Sequence, residues 1–254
     1  MFFYLLRLNI KRCLAYKLDF SFKLGSVIIW ISAGVFNMYL INFNFNRFEN
    51  WNFYELNLLY AIWSLTFGIY NAFGNSILDF DKLTITGKID IFLITPCSPL
   101  FLITFSKINI MGLGFILFGI LSSTLSIISL RIALEKIIFL FLYSILGGVL
   151  IYSIFLIFAS LSFFGTKSRE LLRLGYNIHK FSQYPLSIYQ KIPRIIFGYI
   201  FPFAFSNYLP VSLTLGKIEN IWVKLLCFTI PILLFIVAYI FFNFSLTKYE
   251  GTGS

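Results

Sequence analysis

The sequence has few of the residues from which catalytic and metal sites are built. His179 is its only histidine, and Cys13, Cys97 and Cys227 are widely spaced, with no C-x-x-C pair. This pattern excludes a disulfide framework, a zinc site and a multi-histidine metal centre or proton relay. Ten Asp and Glu residues leave little material for general acid–base catalysis. We therefore expect no catalytic residue, no metal site and no cofactor-binding site in this chain.

Two further absences concern the energy source of any transport. The chain has no G-x-x-x-x-G-K-[ST] loop, so it cannot hold nucleotide phosphates as P-loop proteins do. Its long apolar runs carry almost no ionisable residues near their centres, whereas ion-coupled carriers generally need a few there. If the chain transports anything, the sequence indicates that another subunit supplies the energy.

Apolar residues dominate the rest of the composition. Of the 254 residues, 59% are hydrophobic, 20% are aromatic and only 12% are charged, and the mean hydropathy is +0.88. This composition predicts an all-α polytopic membrane protein. The net charge of +10 comes from Lys and Arg placed between the apolar runs. The positive-inside rule explains that distribution, and we expect no nucleic-acid partner.

Apolar runs of membrane length predict six transmembrane helices after an amphipathic N-terminal interfacial helix at about 2–18. The spans are predicted at about 21–41, 54–76, 101–126, 137–163, 195–215 and 221–242. Two prolines in the fifth run predict that it is broken or re-entrant. Lys and Arg concentrate in the N-terminal segment and at 77–100 and 166–194, which predicts that these segments and both termini are cytoplasmic.

Small residues recur every fourth position along the second predicted span. Such a stripe allows two helix backbones to approach closely, and either the same chain or a second subunit could supply the partner. The residues of this predicted packing stripe are Ser64, Gly68, Ala72 and Ser76.

Four short elements occur in a fixed order between the predicted spans. They are G-x-[IL]-D-x-x-L-x-x-P at 87–96, F-x-x-Y-P-x-x-I-Y at 181–189, I-x-P-F-A-F-x-x-Y-x-P at 200–210 and Y-x-G-x-G at 249–253. With these elements the whole chain resembles the ABC-2 type exporter permeases. More narrowly, it resembles the small bacterial permeases of this type that have no ATPase domain of their own.

The resemblance implies a multi-pass permease subunit with the ABC-2, or type V exporter-like, fold in the bacterial cytoplasmic membrane. It implies two copies of a separate ABC ATPase subunit, which would hold ATP and Mg²⁺. It also implies a second permease chain, identical or related, and contact with membrane lipid. The exported substrate would be hydrophobic or amphipathic, such as a drug, a peptide or a lipid-like molecule.

The same resemblance implies a coupling helix at about 86–98 that contacts the ATPase subunit. A carboxylate near the start of this helix complements its positive end, and apolar side chains supply contact area. An interfacial helix that only anchors the loop in lipid headgroups is the alternative. The implied contact residues are Gly87, Ile89, Asp90, Phe92, Leu93 and Pro96.

The region before the last span has two conflicting interpretations. The charge count places 166–194 in the cytoplasm, whereas the family fold implies a polar fifth helix at 166–184 and re-entrant helices at 185–210. The candidates for lining a translocation path or re-entrant segment are Tyr184, Pro185, Pro202, Phe203, Phe205, Tyr208 and Pro210.

Two other functions are compatible with the sequence. The chain could be a membrane-anchored sensor or immunity protein that recruits a cytoplasmic partner without moving a substrate. It could also be a lipid-modifying membrane enzyme, although its few acidic residues favour this less.

Overall fold

The computed structural model describes residues 7–9, 11, 17–45, 51–165 and 168–249, and every regular element in these ranges is helical. The long helices are α1 Lys17–Phe45, α2 Phe53–Gly74, α6 Ile110–Leu130, α7 Leu134–Ser160 and α11 Ile221–Leu246. The shorter ones are α3 Phe80–Ile85, α4 Ile89–Leu93, α5 Pro99–Phe105, α8 Arg169–Phe181, α9 Lys191–Ile195 and α10 Tyr208–Thr214. The predicted interfacial helix at 2–18 and the Y-x-G-x-G tail lie largely outside the described residues.

Three helices of the described residues are long and apolar enough to cross a membrane: α6, α11, and α7 with the 3₁₀ turn Leu161–Phe164. A fourth crossing results if the pair Lys191–Ile200 and Phe203–Thr214 is counted as one broken span. The two halves of that pair meet at 73°. The chain is therefore an all-helical membrane protein in its described part, and the six-span topology stays a prediction.

Helix α2 is the central helix of the bundle. It packs along α6, α7 and α1, and 16 of its 22 residues are buried. Asn52 and Glu55 begin it with a reciprocal capping box, in which each backbone N–H donates to the other residue's side chain at 2.8 and 2.9 Å. At about 1.5 Å per residue it is about 33 Å long, enough to cross a hydrocarbon core of about 30 Å.

The small-residue stripe at 64, 68, 72 and 76 faces helices of the same chain. Ser64 Oγ donates a hydrogen bond of 3.0 Å to the carbonyl of Phe115 in α6. At the end of the stripe, Ser76 Oγ donates to the carbonyl of Thr104 in α5 at 3.1 Å. Both hydroxyls therefore satisfy backbone acceptors inside the bundle.

The two glycines of the α2–α6 contact show how closely the backbones approach. A Cβ atom added at Gly68 would lie 2.7 Å from the backbone nitrogen of Ile116. A Cβ atom added at Gly112 would lie 2.1 Å from the backbone nitrogen of Ala72. Because neither backbone atom can move without shifting a helix, only glycine fits at these positions.

The predicted third span at 101–126 is wrong in its bounds. Helix α5 ends at Phe105, and α6 begins only at Ile110 after a short break. Asn109 caps α6 by accepting a hydrogen bond from Met111 N at 3.1 Å, and its own N–H donates to the carbonyl of Ala72 at 3.1 Å. The chain breaks here because the Asn109 backbone and side chain bond to groups outside a continuous helix.

The bundle has two ends, which we name after residues within them. At the Asp81 end lie residues 75–98, Ser168 and the C-terminal part of α11. At the Lys217 end, the Lys217 ammonium pairs with Glu55 at 2.9 Å, and the Lys136 ammonium donates to the carbonyl of Thr214 at 3.0 Å.

Gly112→Ala should destabilise the protein, because the added methyl group collides with the backbone of α2. Overpacking of this kind costs about 1–3 kcal/mol of unfolding free energy. Gly25→Ala is the matched control, since nothing lies within 4 Å of its added Cβ. We expect a lower thermal unfolding temperature in detergent for Gly112→Ala and no decrease for Gly25→Ala. Equal unfolding temperatures would contradict the close α2–α6 contact.

Candidate functional site

The chain between α2 and α5 forms a compact element that we call the 80–94 segment. Phe80 anchors it and is fully buried, with its ring 5.5 Å from the ring of Phe163 and 6.0 Å from that of Phe242. Helix α3 ends before Gly87, whose positive φ of 66° favours glycine. Helix α4 comes next and lies across the end of the bundle.

The predicted coupling helix at 86–98 is shorter than expected. Only Ile89–Leu93 are helical, and Gly87 and Pro96 flank this single turn. The left-handed conformation at Gly87 separates α4 from α3. After α4 the chain bends before Pro99 begins α5.

The contact residues predicted for this element divide into two groups. Ile89 is fully buried, so its predicted contact with another subunit is wrong: its side chain holds α4 on the bundle. Phe92 is half-buried, and the buried part of its ring packs against the same core. Asp90, Leu93 and Pro96 are exposed, and Gly87 is half-buried.

Three isoleucines that the sequence reasoning missed form the most exposed part of this surface. Ile85 is 71% exposed, Ile91 is 62% exposed and Ile94 is 83% exposed. Ile91 lies on the side of α4 opposite Ile89, Ile94 directly follows α4, and Ile85 ends α3. Together with Asp90 and Leu93 they form what we call the docking surface, an apolar patch at a polar end of the bundle.

Asp79 lies beside this surface and pairs with two lysines. Its carboxylate accepts from Lys107 Nζ at 3.0 Å and from Lys82 Nζ at 3.3 Å. Partial burial acts to raise the pKa of Asp79, but the hydrogen bonds and charges of Lys107 and Lys82 outweigh it and hold that pKa below its ordinary value. Asp79 therefore stays ionised at neutral pH.

Asp81 connects the 80–94 segment to helix α8. Its Oδ1 accepts hydrogen bonds from Ser168 N at 3.2 Å and from Ser168 Oγ, and its Oδ2 accepts from Arg169 N at 2.8 Å. Asp81 is only 9% exposed. Because the first N–H groups of a helix have no partner within the helix, this carboxylate caps α8 and complements its positive end.

Helix α8 runs from the Asp81 end to about half the depth of the bundle. A Cβ atom added at Gly175 would lie 3.0 Å from the ring of Phe158 in α7. Farther along, the ring of His179 stacks on Trp63 at 5.5 Å and on Phe67 at 5.4 Å. Trp63 lies halfway along the 22 residues of α2.

Helix α8 therefore does not lie wholly at the Asp81 end, and the cytoplasmic placement of 166–194 stays a prediction. Leu172, Gly175 and His179 are buried and lie on one face of α8 at helical spacing. That face binds the helix to the bundle, while its charges lie on the other side. The alternative, a polar helix at 166–184, agrees with α8 over Arg169–Phe181.

The opposite side of α8 is what we call its polar face, formed by Arg169, Glu170, Arg173, Asn177 and Lys180. Arg173 Nη1 lies 3.2 Å from Glu170 Oε1, and both side chains are exposed. Lys180 Nζ lies 4.7 Å from the ring centre of Tyr176 and 5.9 Å from that of Trp30. The two aromatic rings hold the ammonium group by cation–π attraction.

His179 lies on the buried side of the same turn. Its side chain is fully buried, and neither ring nitrogen has a hydrogen-bond partner among the described residues. Phe203 packs edge-on against it at 5.0 Å. The imidazole therefore serves as one more aromatic ring in a stack.

The predicted lining residues lie within or next to a bent segment of the chain. This segment consists of α9, the π-helical turn Ile196–Ile200 and α10. Asn207 fixes this segment by donating a 2.6 Å hydrogen bond to the carbonyl of Ser182. Phe203 is fully buried in the stack with His179, so it faces no open path in this chain. Of the others, Pro185 and Pro210 are buried, and Tyr184, Pro202, Phe205 and Tyr208 are half-buried.

The crevices of the described residues differ in charge: one of about 390 Å³ at the Lys217 end is lined by charged side chains, among them Glu135, Lys136, Glu219 and Lys224. Another of about 420 Å³ beside Thr104 and Tyr152 is lined by apolar and uncharged side chains. No group of three or more His, Cys, Asp and Glu side chains in the described residues is placed to hold a metal ion. The candidate site thus consists of the docking surface, Asp81 and the polar face of α8.

Comparison with known proteins decides the family. The family model described as "ABC-2 family transporter protein" matches residues 28–253. The chain belongs to this family. No curated protein and no solved structure matches it. The four sequence elements and the family match therefore identify the same class of membrane transport protein.

In this ABC-2 protein, Asp81 is a functional candidate that sequence reasoning did not select. It stands 87 residues from Ser168, and no local spacing relates the two. The polar face of α8 was also missed. Part of its signal was present, because Leu172, Gly175 and His179 recur at helical spacing between the charged residues of this segment.

Asp81→Ala should loosen the start of α8, because it leaves the amides of Ser168 and Arg169 without their acceptor. Loss of a cap typically costs about 0.5–2 kcal/mol. Hydrogen exchange should accelerate at the first turn of α8. Asp79→Ala is the control, since the Asp79 carboxylate pairs with Lys82 and Lys107 and not with α8. Unchanged protection at 168–172 would show that Asp81 does not cap α8.

His179→Phe should keep or raise the unfolding temperature. Phenylalanine fills the same stack and removes two buried nitrogens that have no partner in the described structure. His179→Ala should lower the stability by about 3 kcal/mol, because it leaves a cavity. If His179→Phe lowers the unfolding temperature as much as His179→Ala does, the imidazole nitrogens make stabilising hydrogen bonds to groups outside the described residues.

Proposed function

We propose that this ABC-2 protein is the transmembrane permease subunit of an ATP-driven exporter. The observation that carries this proposal is a continuous connection: an exposed apolar surface at the Asp81 end is joined, through the Asp81 carboxylate, to a helix whose polar face is exposed along the side of the bundle. A transport subunit driven by a separate motor needs such a connection between its motor contact and its path.

The docking surface suits a protein partner. Ile85, Ile91 and Ile94 expose apolar area beside Asp90, and exposed apolar patches of this kind mark interaction sites. The buried anchors Phe80 and Ile89 fix the patch to the core, so a force applied there reaches the helices. An anchor in lipid headgroups would not need this rigid attachment.

A separate ABC ATPase is the proposed partner, in two copies. ATP and Mg²⁺ would bind there, since this sequence has no phosphate-binding loop. Closure of the ATPase dimer would displace the 80–94 segments, and Asp81 would pass the displacement to α8. In two-state terms, nucleotide on the partner shifts a conformational equilibrium of the permease.

A second permease chain, identical or related, would complete the path. The polar face of α8 extends to half the depth of the bundle, where charged groups facing hydrocarbon are costly. A second copy facing it would enclose these groups in a polar cavity. We propose six spans in the bacterial cell membrane with the Asp81 end and both termini in the cytoplasm, in agreement with the charge distribution of the sequence.

The docking surface can be tested with the double variant Ile91→Glu/Ile94→Glu. Each side chain is highly exposed, so the change should leave the fold intact and remove the apolar contact. We expect at least a tenfold loss of affinity for an ABC ATPase from the same operon, which corresponds to about 1.4 kcal/mol or more of binding free energy. We also expect loss of ATPase stimulation in proteoliposomes.

Leu134→Glu/Ile221→Glu is the matched control at the Lys217 end. These residues are 72% and 62% exposed and begin α7 and α11, where a carboxylate is favourable. Full ATPase binding by the docking-surface variant would refute the contact. Binding without any substrate-dependent ATPase stimulation in the unmodified protein would favour a sensor over a permease.

A further inference from the structure

We propose that the polar face of α8 binds the anionic head group of an amphiphilic substrate. This inference rests on the proposed function, since it names the class of molecule that the permease carries. It depends on three observations: the depth of Lys180, the excess of positive charge on this face, and the apolar and aromatic side chains around it.

The depth of Lys180 indicates a functional group. Its neighbour His179 stacks on Trp63, which lies halfway along α2. An ionisable side chain at this depth is costly unless it faces water, a counter-charge or a ligand. The nearest described partners of the Lys180 ammonium are the rings of Tyr176 and Trp30, which orient it without neutralising its charge.

The charge of the face selects an anion. Arg169, Arg173 and Lys180 follow each other along one side of α8 over a rise of about 16 Å. Glu170 is the one carboxylate among them, and Arg173 already pairs with it at 3.2 Å. A phosphate, sulfate or carboxylate group moving from the Asp81 end would meet cations along the whole helix, and a cationic substrate would be repelled.

The surroundings of these cations indicate an amphiphile and not a small hydrophilic anion. Leu171, Leu174 and Phe181 are 37%, 51% and 50% exposed on the same helix, and Trp30 beside Lys180 is 37% exposed. These side chains offer apolar surface next to the cations. A molecule that joins a charged head to an apolar tail contacts both.

Anionic lipid of the surrounding bilayer is the competing occupant. Headgroups at the membrane surface would reach Arg169 and Arg173, which lie toward the Asp81 end. They would not reach Lys180, which lies beside the middle of α2. A substitution of Lys180 therefore distinguishes a bound substrate, which would contact this residue, from surface lipid, which would not.

Binding can be measured without the ATPase, through the fluorescence of Trp30. The Trp222→Phe protein, which lacks the most exposed described tryptophan, is placed in phosphatidylcholine nanodiscs. It is titrated with dibromostearate, an anionic quencher, and with a lysophosphatidylcholine carrying the same brominated chain. We expect dibromostearate to bind about tenfold more tightly than the zwitterionic probe.

The variants then assign the site. Lys180→Gln should weaken dibromostearate binding about tenfold, Lys180→Arg should retain it, and the exposed Arg173→Gln should weaken it about threefold. Lys224→Gln is the control: its ammonium lies 4.2 Å from the ring centre of Phe139 in a similar cation–π contact, away from α8. It should bind as the parent protein does.

Two results would overturn the proposal. One is equal quenching of the parent protein by both probes. The other is weaker binding in Arg173→Gln but not in Lys180→Gln, which would assign the charge to surface lipid. Because no nucleotide or ATPase enters this measurement, its failure is distinct from failure of the exporter function, which appears in the ATPase-binding experiment.

Discussion

The arrangement of the candidate site depends on one capping interaction, that of the Asp81 carboxylate with the first amides of α8. Ser168 precedes this helix with helical backbone angles, and its side chain makes no cap. Two of the N–H groups at the start of α8, those of Ser168 and Arg169, are therefore satisfied by a residue of another element. As a consequence, the position of α8 depends on that of the 80–94 segment, which carries the docking surface.

The central helix α2 shows why hydropathy alone does not identify every long helix of this bundle. Helix α2 carries polar groups such as Asn57, Ser64 and Asn71, yet it is buried along most of its length. Asn57 donates to Ser126 Oγ at 2.7 Å, and Asn71 accepts from Asn109 Nδ2 at 3.0 Å, both within the bundle. Protein, not lipid, surrounds this helix, so its polar groups find partners that hydrocarbon would not offer. The more apolar helices α6 and α11 are the ones with large exposed surfaces.

Local sequence patterns predicted the features that depend on neighbouring residues alone. Most of the long helices coincide with apolar runs, and the four-residue spacing identified small residues of which Ser64 bonds to α6 and Ser76 to α5. The break at Asn109 was missed because a single cap inside an apolar run is a weak signal beside twenty apolar residues. Ile89 was assigned to a partner contact because a motif does not reveal which side of a short helix faces the core. The Asp81 cap could not be predicted, since it joins residues that are remote in sequence and depends on the completed fold.

His179 and Lys180 constrain how α8 can move. They are adjacent residues that point about 100° apart around the helix. His179 is fully buried in an aromatic stack, and Lys180 carries a charge at half depth. Rotation of α8 by one residue would bury an ammonium group among Trp63, Phe67 and Phe203. An unpaired charge in such surroundings is far more costly than any gain from the motion. In the proposed exporter, a displacement that reaches α8 through Asp81 would therefore shift or tilt the helix without rotating it, so that the polar face would keep its direction.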